Sequence, residues 1–197
     1  MPLPAHRSSS QHGSPEPETP IKIRQATTED VPALQRLIDA SVRVLSLPYY
    51  DREQIESSLT NVFGVDSQLI QDGTYFVAEI AGQIVGAGGW SKRRTLFGGD
   101  QAKPDQIDEL LDPTTDAARI RAFYVHPDWS RKGIGRRIAE ACEQAAREAG
   151  FGALELIATL PGEPLYTALG YSIVEPFDIP LPNRQSLPAF RMEKRLK

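Results

Sequence analysis

Cysteine is nearly absent from this chain: Cys142 stands alone in 197 residues, beside three histidines. An internal disulfide is therefore excluded, and Cys142 falls on an apolar stripe where it reads as a small core side chain. His6 and His12 have no cysteine or third ligand near them, so no metal site is expected. An excess of positive charge is missing too. Lys and Arg total 22 against 26 Asp and Glu, a net charge of -4, which argues against general nucleic-acid binding. No apolar run approaches the length of a membrane span, and residues 1–20 lack the apolar core of a secretory signal. A cytoplasmic protein with no membrane partner is the expectation.

What is present suffices for one core. Hydrophobic residues make up 40% of the chain, and its length suits a single domain. Residues 1–20 hold five prolines, four serines and almost no large apolar side chain. They cannot offset their own ordering entropy and read as a disordered tail, leaving 21–197 as the domain. No internal repeat is visible.

The most informative stretch runs from Ile120 to Ile138. Ile120 to Val125 is β-branched or aromatic at most positions and is stopped by Pro127, the pattern of a strand ending at His126. Ile134, Ile138, Ala141, Cys142 and Ala145 then recur on one face of a helix that stops at Gly150. Between them lies a basic glycine loop. A helix start offers unpaired N–H groups and a positive dipole end, Gly133 and Gly135 permit close approach, and Arg131, Lys132 and Arg136 add attraction for a polyanion. Two familiar phosphate loops fail on spacing. Ile138 stands where a dinucleotide fingerprint needs glycine or alanine, and Arg136 and Arg137 stand where a P-loop needs its lysine and hydroxyl residue.

The rest of the chain supplies alternating elements. Ile21 and Ile23 mark a short strand, and Thr27 can cap a helix with Pro32 in its first turn. That helix continues through Leu34, Leu37, Ile38 and Ser41 until Leu47-Pro48-Tyr49-Tyr50, after which Arg52 to Val62 forms another. Thr74 to Ile80 and Gln83 to Trp90 form a hairpin across Ala81-Gly82. Gly86, Gly88 and Gly89 leave its second strand bare, which points to a bulge, close backbone approach or room for ligand. The long connection 91–118 carries Lys92-Arg93-Arg94 and an acidic stretch, with a short helix expected at Gln106 to Leu111. A connection of this length is a candidate for a functional loop. Ala153 to Ala158 reads as a strand, Pro164 to Gly170 as a short helix, Tyr171 to Val174 as a strand, Pro176 to Pro188 as a loop, and Ala189 to Leu196 as a last strand.

The loop Ser130-Arg131-Lys132-Gly133-Ile134-Gly135 resembles motif A of the GCN5-related N-acetyltransferase (GNAT) family, a [QR]-x-x-G-x-[GA] pattern that binds the pyrophosphate of acetyl-coenzyme A. Ser130 departs from it at the first position. The order of elements resembles the family over nearly all residues after 20, and Tyr166 to Tyr171 matches its Y-x-x-x-G-[FY] element. The resemblance implies an α/β (α+β) fold: one mixed sheet of six to seven strands, splayed between the fourth and fifth and flanked by about four helices. It implies acetyl transfer from acetyl-coenzyme A, without a metal, to a small-molecule or peptide amine, by a monomer or homodimer. Carried over by position, Phe123, Tyr124 and Val125 offer backbone N–H groups to the thioester and pantetheine. Arg131, Lys132, Gly133, Ile134, Gly135 and Arg136 hold the pyrophosphate, and Tyr166 is the general acid.

Several readings stay open at this stage. Tyr166 can be an acid or a packing residue, and Tyr49 and Tyr50 can touch substrate or pack a loop. The family's glutamate on the fourth strand aligns with Arg121, which cannot accept a proton. Asp116, Glu79 and His126 are candidate substitutes. A coenzyme A module without transfer activity and a nucleotide-phosphate binder are the competing functions.

Overall fold

The computed structural model describes residues 20–102 and 108–196. The tail expected at residues 1–20 lies outside this range apart from Pro20. The described chain forms a seven-stranded sheet with five α-helices, and its strand order is β1-β2-β3-β4-β5-β7-β6.

The first elements follow from capping and periodicity. After β1 (Lys22–Gln25), the Thr27 N–H donates to Asp30 Oδ2 at 2.8 Å, turning the chain into α1 (Val31–Leu45). Leu34, Leu37, Ile38, Ser41 and Val42 form the buried stripe of α1. Asp51 and Gln54 exchange backbone-to-side-chain bonds of 2.8 and 3.0 Å at the start of α2 (Arg52–Asn61). A short helix not expected from sequence, α3 (Ser67–Gln71), follows; Asp66 caps it by accepting the Leu69 N–H at 3.1 Å. Five residues are too few to display a helical period.

The hairpin of β2 (Tyr75–Ile80) and β3 (Gln83–Ser91) turns at Ala81 and Gly82, whose φ values of 49° and 80° are those of a two-residue turn matched to strand twist. Next come β4 (Ala118–Val125), α4 (Ile134–Glu148), β5 (Ala153–Thr159) and α5 (Glu163–Ala168). The chain ends in β6 (Ser172–Pro180) and β7 (Ser186–Arg195). The expected loop from Pro176 to Pro188 is therefore mostly strand. Pro176 and Pro180 sit in β6, an edge strand, where a missing N–H need break no ladder bond.

All neighbouring strands are antiparallel except β4 and β5. That parallel pair holds register only at Ala118 with Leu154 and Arg119 with Glu155, while β4 stays paired to β3 as far as Val125. From Ile120 onward the sheet parts. One core, built around Ile134, Ile138 and Cys142 of α4, covers one face; a second, built around α1 and Ile55 of α2, covers the other.

The connection from residue 91 is no open loop. Leu110 bridges Arg93, the Leu111 N–H reaches the Lys92 carbonyl at 2.8 Å, and the Arg94 N–H reaches that of Glu109 at 3.0 Å. The helix expected at Gln106 to Leu111 is absent over 108–111, which run as an extended return; 106 and 107 lie outside the described residues. Pairing with the basic stretch overrides local helix preference there. Among the described residues no helix is long and apolar enough to cross a membrane.

Candidate active site

A bulge in β4 shapes the opening between the strands. Ala87 pairs with Tyr124 and Gly89 with Arg121, so two residues of β4, Ala122 and Phe123, oppose Gly88 alone. Ala122 takes up the extra length with φ of 58°, and its carbonyl accepts the Tyr75 hydroxyl at 3.2 Å. Gly88 is required at this point, because a Cβ there would lie 2.5 Å from the Phe123 ring. The other two glycines serve packing as well. A Cβ on Gly86 would meet Ile134 Cγ2 at 2.5 Å, and one on Gly89 would meet Leu69 at 2.7 Å. The room expected for ligand along β3 is thus filled by α4, Phe123 and α3.

A cavity of about 650 Å³ occupies the gap between β4 and β5 and extends to both ends of it. At one end lies the glycine loop. Gly133, with φ of 79°, precedes the first turn of α4, and a Cβ on it would meet nothing within 4 Å. Gly133, Ile134 and Gly135 line the cavity together with Arg131 and Arg136. Two of the loop's expected residues have protein neighbours of their own. Lys132 is not among the lining residues; its ammonium sits 4.6 Å over the Trp129 ring. Gly135 makes room for a neighbour, since a Cβ on it would come 2.9 Å from Leu165 of α5.

In the middle stand β4 and Tyr166. The His126 N–H bonds to the Val85 carbonyl of β3 at 2.9 Å, so by strand alternation the Tyr124 N–H also faces β3, and that of Val125 faces away from it; Phe123 sits in the bulge and lines the cavity. Of the three amides expected to serve a thioester, that of Tyr124 faces β3. The Val125 N–H donates to Ser41 Oγ at 3.3 Å, and Ser41 lines the cavity from α1. Sequence reading missed Ser41, although a hydroxyl inside an otherwise apolar stripe is a usable signal.

Tyr166 lies on α5, buried, with its ring edge-on to Phe123 at 5.9 Å and to Tyr171 at 5.6 Å. Burial raises its phenol well above the ordinary tyrosine value, and the nearby Cys142 thiol and Tyr124 phenol push the same way. It stays protonated. Tyr166 lines the cavity, and its hydroxyl bonds to no other described residue.

Arg121 has a structural post. Its guanidinium, 1% exposed, lies 3.0 Å from the fully buried Asp66 carboxylate and 4.0 Å from Asp108, and donates to the Thr95 carbonyl at 2.8 Å. The Thr95 N–H in turn reaches Asp108 Oδ1 at 2.8 Å. Arg121 thereby ties the ribbon of 91–95 and 108–111, and the cap of α3, to β4. Arg93 adds a bond to Asp72 at 2.7 Å, so part of the connection's mixed charge is spent on internal pairs.

None of the candidate bases lines the cavity. Glu79 pairs with Arg24 at 2.9 Å, Asp116 accepts the Asp112 N–H at 2.8 Å, and His126 Nδ1 accepts the Asp128 N–H at 3.3 Å. The two tyrosines after Pro48 divide the roles open to them. Tyr50 is buried, donating to the Pro188 carbonyl at 2.7 Å and accepting the Leu160 N–H at 2.9 Å. Tyr49 lines the cavity.

A parted β4–β5 pair, a bulged β4, and a glycine loop opening a helix beside the gap define a known scaffold. The family model of the acetyltransferase (GNAT) family matches residues 35–171, and the chain belongs to that family. Solved structures share its fold. One is a GCN5-related N-acetyltransferase from Rhodopseudomonas palustris, 21% identical, covering 93% of this chain and 100% of its own with a TM-score of 0.68. Another is the PaiA N-acetyltransferase from Thermoplasma acidophilum in complex with coenzyme A, 16% identical, with coverage of 90% and 99% and a TM-score of 0.61. A third, YncA from Salmonella typhimurium, is described as a putative acetyltransferase with its cofactor acetyl-CoA; it is 17% identical, with coverage of 90% and 94% and a TM-score of 0.60. No curated protein matches the chain significantly.

Proposed function

We propose that this chain is an acetyl-CoA-dependent N-acetyltransferase in which an amine attacks the thioester directly within a ternary complex. One observation carries the reading: a single cavity is lined by the glycine loop of α4, the bulged stretch of β4 and Tyr166. The residues fit acetyl-coenzyme A in kind. The start of α4 and the guanidinium groups of Arg131 and Arg136 suit a pyrophosphate, and the gap between β4 and β5 suits an extended pantetheine that pairs like a strand.

When bound, acetyl-coenzyme A supplies an acetyl thioester, and the acceptor supplies a neutral amine. The Phe123 N–H, and that of Val125 if Ser41 yields it, polarise the thioester carbonyl as charge develops on oxygen. Tyr166 donates its proton to the departing sulfur, a role its buried, neutral phenol can fill. Attack leaves a proton on the nitrogen; no carboxylate or imidazole of the described lining takes it, so it leaves through water and restores the Tyr166 phenol, and the products are the amide and the free thiol.

Arg121 favours a second reading, a coenzyme A module without transfer, because it replaces the acid that many family members use. Calorimetry with coenzyme A and thiol release from acetyl-CoA with amines separate the two. Binding with thiol release supports the transferase; binding without it supports the module. Competition by ATP for the same site would instead support a nucleotide-phosphate binder. The reading assigns catalysis to residues 21–197. Removing residues 1–20 should leave turnover and Tm nearly unchanged, and a large loss of either would assign the tail a docking role.

A further inference from the structure

The end of the cavity away from the glycine loop has a consistent chemistry. Val42 and Leu45 of α1, Ser46 and Tyr49 beyond it, Phe63 after α2, Phe97 of the chain beyond β3 and Ile179 of β6 form its wall. Phe63 stands edge-on to Tyr124, and Phe97 edge-on to Phe177 at 5.6 Å. The wall is braced, because the segment that carries Phe97 is held at Thr95 by Arg121 and Asp108. Tyr49 is 48% exposed, with Leu47 of the same turn also exposed, so the apolar lining continues to the mouth. No carboxylate belongs to the lining among the described residues. The only charged group at this end among the described residues, Arg121, is already engaged with Asp66.

We infer that the acceptor is a monoamine with an apolar or aromatic body, and that a second positive charge on it is selected against. The inference rests on the transferase reading above and names its substrate class. Burying an apolar body against these rings is favourable, whereas a second ammonium would lose its water and find no carboxylate. A free arylalkylamine and a peptide N-terminus with an apolar first residue share this chemistry.

The test compares kcat/KM for the full chain with acetyl-CoA and four acceptors: phenethylamine, a short peptide amide with an N-terminal phenylalanine, 1,4-diaminobutane and an aminoglycoside. One of the first two should exceed both polycations by about tenfold or more, which also tells the free amine from the peptide. Tyr49→Glu, a substitution at an exposed position, should narrow that ratio by raising turnover of 1,4-diaminobutane, with the KM for acetyl-CoA unchanged. Preference for a polycation in the wild type would overturn the acceptor class and leave the transferase standing. A ratio unmoved by Tyr49→Glu would remove Tyr49 from the acceptor wall and the argument from its lining with it. Coenzyme A binding with no turnover of any amine would overturn the transferase reading and this inference together.

Discussion

Tyr166 and Arg121 both line the cavity and carry opposite kinds of residue-level argument. Tyr166 has a hydroxyl that bonds to no other described residue, a cavity in front of it and a phenol that burial keeps neutral. Tyr166→Phe keeps both edge-on ring contacts and removes only the proton. The expected result is a fall in kcat of about ten- to a thousandfold with coenzyme A affinity retained, read from steady-state rates and calorimetry. Unchanged kcat with chemistry rate-limiting would reduce Tyr166 to packing. Arg121, by contrast, is bound on three sides. Arg121→Glu restores the family's acid in name, yet it sets a buried carboxylate against Asp66 and Asp108. Breaking a buried pair in this way should cost about 3–5 kcal/mol, seen as a large drop in the denaturation midpoint, with no gain in turnover. The replacement at position 121 was visible in the sequence, but its partners were not, because Asp66 and Thr95 approach it only through the fold.

At the scale of elements, the β4 bulge is the feature on which the cleft depends. Gly88 accommodates the Phe123 ring that the bulge turns toward β3, so Gly88→Ala should displace Phe123 and its amide. Overpacking of this kind costs about 1–3 kcal/mol, and here it should also lower kcat, since Phe123 contributes to the site. A variant equally stable and equally active would show that the bulge tolerates a shift. The elements with strong signals were legible beforehand: the strand before Pro127, the amphipathic α4, the Ala81-Gly82 hairpin and the helix closed at Gly170. Those missed lacked such signals. α3 is one turn long, β6 hides its strand behind prolines that an edge position tolerates, and residues 108–111 run extended because the basic stretch pairs with them. Close packing and ligand space look alike in a run of glycines, which is why Gly86, Gly88 and Gly89 read ambiguously until α4 and Phe123 were placed against them.

The whole molecule has titration behaviour set by what its two cores enclose. Burial raises Tyr75, Tyr166, Tyr171 and Cys142 above their ordinary values of 10.0 for the phenols and 9.0 for the thiol. These groups are folded in their neutral forms, so their contribution is full below those values and is lost as pH rises beyond about 9 to 10. Asp30 beside Arg24 and Asp72 beside Arg93 are held below the ordinary 3.8 by hydrogen bonds from those guanidiniums. Their contribution is full above 3.8 and is lost as pH falls below it. Urea midpoints should thus be flat through neutrality, decline above about pH 9, and decline again in acid. A midpoint that rose between pH 9 and 11 would contradict the burial of these groups. Activity, the molecule's central claim, is tested most directly by following the acetyl group itself. The full chain is given acetyl-CoA labelled in its acetyl carbon and an excess of a hydrophobic monoamine, with labelled products separated by mass. The account predicts label in the amide of the amine, one free thiol released for each amide formed, and no label left on the protein. Bound acetyl-CoA whose label appears only as acetate, at the rate seen without protein, would contradict it.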